Sequence, residues 1–284
     1  MKRHLHLLMI DPQNDFCDLP AAYLADGQHA PALPVAGAHA DMQRVAQLIK
    51  DGMQGLTGIS MTLDSHHRID IAHPTFWQEA SGKMPAPFTQ ISAADVRAGV
   101  FAPRQDEHFA RALAYLDALE RAGRYQLMIW PVHCEIGSWG HNVHADVRVA
   151  YNQWEDLSLR SVHKISKGDN PWTEHYSAVM AEVPDAHDVG TQLNRELIDT
   201  LEQADQVYIT GEAGSHCVKA TTEDIVANIR PDHVSRLVLL TDCMSPVSGF
   251  DAQYQDFVRD MAARGVQIAK AADVLPDLLA NGRR

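Results

Sequence analysis

The residues of this chain best suited to chemistry are one cysteine, one aspartate and one lysine, each at or shortly beyond the end of a strand-like run. In VYITGEAGSHCVKATTEDI (207–225) a β-branched run reads as a buried strand. Gly211 and Gly214 then mark a short turn, and a helical pattern opens near Cys217. A thiol at a first helical turn faces orphan backbone N–H groups and the positive end of the helix dipole, one way to obtain a thiolate near neutral pH. Taken alone, such a cysteine is more often a buried structural residue. Asp11 closes the apolar run LHLLMID (5–11). Beside a thiol and a lysine it can take the thiol proton and return it to a leaving amine. Lys167 ends the run 161–167, and in a partly buried site its charge would steady both thiolate and carboxylate. Lys164, three residues earlier, falls on the opposite face of an extended strand, so Lys167 is the lysine expected in the site.

A second set of residues could hold a metal. Asp64 and His66 are two apart at the end of the run GISMTLD (58–64), which puts both side chains on one side of an extended chain. With His73 and His133 they form a set of imidazoles and a carboxylate, donors that suit zinc or ferrous iron. The chain carries 16 histidines, so one D-x-H pair arises readily by chance. His67 should point away from His66.

Stepping outward to the elements that must position these groups, apolar runs alternate with amphipathic helical patterns. Strands are expected over 5–11, 58–64, 126–131, 161–167, 207–210, 236–242 and 266–270, the last at an edge. Helices are expected over 38–50, 144–157, 193–201 and 273–280. A further helix follows Asp106 with Phe109, Leu113 and Leu116 inward, and another is capped by Asp251. Several runs are continuously apolar, which argues for an α/β fold. Its sheet is mostly parallel, doubly wound and of about six strands, with helices on both faces. Ligands of such folds bind beyond the carboxyl ends of the strands, where Asp11, Asp64, Trp130, Lys167 and the turn before Cys217 fall. Residues 65–105 lose periodicity and hold four prolines and a histidine-rich start. We read them as a long inserted loop within a single domain, 1–284, with Ser92 and Asp95 capping one short helix.

Composition narrows the classes. The 284 residues carry 24 basic against 37 acidic side chains, a net charge of −13, which argues against nucleic-acid and anionic-membrane partners. Four cysteines without a C-x-x-C pair point to free thiols in a reducing cytoplasm. The N-terminal apolar run is too short for a secretion signal.

Five stretches, in order, resemble the nicotinamidase branch of the isochorismatase-like cysteine hydrolases. DPQNDFC (11–17) is similar to that family's first-strand motif, TLDSH (62–66) to its metal-binding D-x-H and WPVHC (130–134) to its W-P-x-H-C. SKGDNPWTEHYSA (166–178) resembles the segment of the catalytic lysine, and GEAGSHCVKATTEDI (211–225) the nucleophile segment. The resemblance implies an isochorismatase-like fold and an Asp11–Lys167–Cys217 triad. It also implies a cis peptide at 212–213 that aims the Ala213 and Cys217 N–H groups at an oxyanion. Phe16 and Trp130 would wall a pyridine ring, and Asp64, His66, His133 and His73 would bind one divalent metal. Zinc is the first expectation, with iron or manganese as alternatives. The sequence departs from the family at Glu212, usually apolar, at Gly214-Ser215, usually Thr-Asp, and at Asp18-Leu19-Pro20, usually Pro-Gly-Gly. The interval from the D-x-H to His73 is three residues longer than usual.

The expected activity is that of a cysteine amidohydrolase acting on a small amide, nicotinamide first, through a Cys217 thioester. The rival within the superfamily is a hydrolase of carbamoyl or ureido substrates, which can lack the metal motif. A different class is a non-catalytic zinc-binding or thiol redox-sensing protein on the same scaffold. A homo-oligomer is left open.

Overall fold

The computed structural model describes residues 2–24 and 30–283. Among the described residues ten strands form: β1 (Leu5–Ile10), β2 (Gly58–Asp64), β3 (Trp77–Glu79), β4 (Gln90–Ile91), β5 (Phe101–Pro103), β6 (Leu127–Met128), β7 (His163–Lys167), β8 (Gln206–Gly211), β9 (Leu237–Leu240) and β10 (Gln267–Ala269). Six of them make one parallel sheet in the order β10-β9-β8-β1-β2-β7. β1 is buried at every position, as a central strand covered on both faces must be.

The helices are α1 (Ala38–Gly52), α2 (Ala93–Arg97), α3 (Phe109–Ala122), α4 (Ala145–Ser158), α5 (Arg195–Glu202), α6 (Cys217–Asn228), α7 (Asp251–Ala263) and α8 (Ala271–Gly282). From β1 the order runs outward through β2 on one side and, starting from β8, through β9 on the other. Right-handed crossovers taken in opposite directions place α1 and α6 on opposite faces. α1 packs against α4 and α8, and α6 against α7. The direction of winding reverses between β1 and β8, the place where such sheets open a crevice. No described helix is long and apolar enough to cross a membrane.

Four sequence expectations change. The run 126–131 forms only the two-residue β6, which pairs antiparallel with β4 outside the main sheet. Trp130 therefore reaches the crevice on an excursion and not from a central strand end. Phe109 is 40% exposed, because the buried stripe of α3 is Ala112, Tyr115, Leu116 and Leu119, one turn further on. Asp106 opens a 3-10 turn that precedes α3, and Asp251 is the first residue of α7, not its cap. Residues 65–105 are tied by short pairings, β3 with β5 and β4 with β6, and by α2, whose Ser92–Asp95 capping box is formed.

Candidate active site

Asp11 leaves β1 with φ +46, a left-handed conformation that aspartate tolerates better than most residues. Its N–H donates to the Thr62 carbonyl at 3.2 Å, and the Thr62 hydroxyl donates to its Oδ1 at 2.5 Å. Asp64 and Lys167 are register partners on β2 and β7, so their side chains leave one face side by side. Lys167 Nζ lies 2.7 Å from Asp64 Oδ1, 2.9 Å from Asp11 Oδ2 and 3.5 Å from Cys217 Sγ, and it donates to the His175 carbonyl at 3.1 Å. Lys164 points the other way, exposed, with its ammonium 4.9 Å from the Tyr151 ring.

One buried ammonium thus serves two buried carboxylates. Burial alone would lower the Lys167 pKa, but Asp11 and then Asp64 hold it well above the ordinary lysine range. Burial raises the Asp11 carboxyl, with Lys167 opposing, whereas Asp64 is held well below the usual range against its burial by His66 and Lys167. Asp11 is therefore the carboxylate with affinity to spare for a proton.

The turn that carries the cysteine begins at Gly211, φ +124, where a Cβ would sit 1.9 Å from the Ile10 carbonyl oxygen; only glycine lets β8 end this close to β1. The Glu212–Ala213 peptide is cis. The Ala213 carbonyl accepts from the N–H groups of His216 (3.0 Å) and Val218 (3.2 Å). The Ala213 and Cys217 N–H groups have no acceptor among the described residues. Cys217 is the first residue of α6, as its pattern suggested, but the expectation of a resting thiolate is corrected. Burial pushes its thiol well above the ordinary cysteine range, and Lys167, shared with two carboxylates, does not reverse this.

His66, His73 and His133 are buried, with donor nitrogens within 4.8 Å of one another. Asp64 Oδ2 lies 3.1 Å from His66 Nε2 and 3.2 Å from His133 Nε2, and His73 Nε2 lies 3.2 Å from His133 Nδ1. Three imidazoles and a low-pKa carboxylate, all shielded from water, fit a divalent metal of the zinc type. The longer interval before His73 does not keep it out of the cluster, and His67 is exposed. Asp70 was not read from the sequence: its Oδ2 is 3.0 Å from His66 Nδ1 and orients that ring. The spacing of four from His66 was the available signal.

Between the two sets lies a cavity of about 30 Å³. Phe16 and Trp130 line it, together with Leu33, Glu174, Tyr176, Ala213, His216, Cys217 and Val247. Trp130 donates its indole N–H to the Tyr176 hydroxyl at 2.9 Å.

No protein-family model matches the chain. A nicotinamidase of Saccharomyces cerevisiae is 29% identical over 96 residues, a match that spans 33% of this chain and 38% of the yeast protein. A nicotinamidase and pyrazinamidase of Acinetobacter baumanii superposes over 96% of this chain and 98% of its own, at 20% identity and a TM-score of 0.60. The fold is isochorismatase-like. A pyrazinamidase of Pyrococcus horikoshii, solved in complex with zinc, covers 94% of this chain and 99% of its own, with 20% identity and a TM-score of 0.52.

Proposed function

We propose that this protein is a cysteine amidohydrolase, a nicotinamidase that converts nicotinamide and water to nicotinate and ammonia. The observation that carries the reading is the contact of Lys167 Nζ with Asp11 and Cys217, beside a cavity lined both by Cys217 and by His133 of the His66–His73–His133 cluster. The yeast and Acinetobacter nicotinamidases are independent support.

Burial favours the protonated thiol, so its deprotonation is coupled to attack. Asp11 takes the proton as Cys217 Sγ adds to the carboxamide carbon, and Lys167 holds Asp11 in place and offsets the charge that forms. The Ala213 and Cys217 N–H groups, without an acceptor among the described residues, serve the developing oxyanion. Asp11 then returns its proton to departing ammonia, leaving a thioester that water hydrolyses. Phe16 and Trp130 sandwich the ring. His66, His73, His133 and Asp64 would hold one divalent metal, zinc by donor chemistry, which supplies a Lewis-acid anchor for orienting the ring nitrogen. Four free cysteines suit a reducing, cytoplasmic setting.

Ammonia release from nicotinamide, pyrazinamide and small ureido compounds tests this. Nicotinamide should be hydrolysed, and Cys217→Ala should lower kcat by on the order of 10³-fold or more. Turnover confined to ureido compounds would transfer the site to the carbamoyl-cleaving relatives.

A further inference from the structure

The cavity has a donor that the triad and the metal cluster leave unused. His216 precedes Cys217 and is buried, its ring boxed by Phe250 (centroids 4.6 Å), Trp130 (5.1 Å) and Tyr176 (5.6 Å). Its Nδ1 lies 2.9 Å from Ser215 Oγ, which itself accepts the Val247 N–H at 3.0 Å. Ser215 is 3% exposed, and its hydroxyl proton has no other acceptor among the described residues. Buried hydroxyls donate where they can, so that proton goes to His216 Nδ1, and the imidazole carries its own proton on Nε2. Burial holds the ring pKa at about 4, with Lys219 a smaller cause, so the ring is neutral at pH 7. Nε2 has no partner among the described residues, and His216 lines the cavity. The indole N–H of Trp130 is already spent on Tyr176.

The geometry points to His216 Nε2–H as a specificity-determining donor, selecting amides whose ring carries a second acceptor besides the one turned to the histidine cluster. This rests on the amidase reading above. Pyrazinamide has two ring nitrogens and nicotinamide one, so they form a matched pair. His216 would act through an N–H that pyrazinamide satisfies and nicotinamide leaves unpaired, a mismatch that a buried donor penalises.

The test compares kcat/KM for the two amides in wild type, His216→Phe and Tyr176→Phe. Phenylalanine keeps the aromatic packing and removes the donor. The pyrazinamide-to-nicotinamide ratio should fall about tenfold in His216→Phe, the scale of one neutral hydrogen bond, and hold within about threefold in Tyr176→Phe. An unchanged ratio in His216→Phe, or a fall confined to Tyr176→Phe, overturns the assignment while the amidase reading stands. A wild type that hydrolyses neither amide removes both. Nitrogen chemical shifts of the His216 ring supply a readout apart from activity: protonation at Nδ1 at pH 7 would overturn the donor role by itself.

Discussion

The two halves of the site are built differently. Asp11, Asp64, Lys167 and Cys217 stand at or just past the ends of four adjacent strands, β1, β2, β7 and β8, whose register fixes their spacing. His66, His73 and His133 sit on loops, held by turn bonds such as His73 N–H to the Asp70 carbonyl (2.9 Å) and His66 N–H to the Cys134 carbonyl (3.0 Å). A sheet sets side-chain positions through many shared hydrogen bonds, and a loop through a few. On the proposed reading, the groups that need the tightest alignment stand at strand ends or, for Cys217, on the turn and helix just beyond one, and the groups that would grip an ion, which can draw its ligands together, are on loops. Asp64 belongs to both halves, one oxygen on Lys167 and the other facing His66 and His133.

The largest effect should come from the sheet-borne half. Lys167→Ala should lower kcat on the order of 10³-fold, since it strips the charge from a buried carboxylate pair, while Lys164→Ala stays within about threefold. Steady-state rates of the two variants decide; equal losses would mean that strand phase does not separate them. Next, His133→Ala should remove bound metal, as measured by elemental analysis, and lower activity on the order of 10²-fold. Alkylation of Cys217 by iodoacetamide should survive that change, since its partners Lys167 and Asp11 remain. If labelling of Cys217 is lost with the metal, the halves are not separable.

The smallest effect lies outside the site and concerns the sheet itself. His6 on β1 is buried, 2.9 Å from the Ser60 hydroxyl, and burial, with His163 a lesser cause, lowers its pKa to about 4. The unfolded value is about 6.5. A depressed folded pKa means that the unfolded chain binds the proton first, so this contribution is complete above about pH 6.5 and is lost as pH falls toward 4. Melting temperature should drop across that window, and less steeply in His6→Gln. Parallel curves would show that His6 does not titrate between the two states.

The same division explains what could be read from the sequence. Asp11 and Lys167 end strand-like runs and Cys217 follows one across a short turn, and period-two alternation and strand ends are local properties; Lys164 against Lys167 needs only parity. Trp130 was assigned to a central strand because QLMIWP is apolar, and periodicity cannot tell a six-stranded sheet from a two-residue pairing with β4. The sequence points to an ionised Cys217 thiol from its helix position and a nearby Lys167 charge. Its charge state is set by how much water the whole fold removes and by how Lys167 is divided, neither of which is local. His73 entered the cluster despite its longer spacing because the chain between folds back on Asp70, a contact with no periodic signature.

The narrow cavity has a kinetic meaning. About 30 Å³ admits roughly two water molecules, whereas a pocket that takes up a benzene ring is on the order of 150 Å³. On the amidase reading a ring amide needs more room than this, so lining residues such as Phe16, Leu33 and Val247 would have to yield in each turnover. Association would then be paced by how often the walls part, below the rate of diffusional encounter, and product would leave through the same motion. Substitutions that shrink those walls would hasten both passages even where they loosen the hold on the ring.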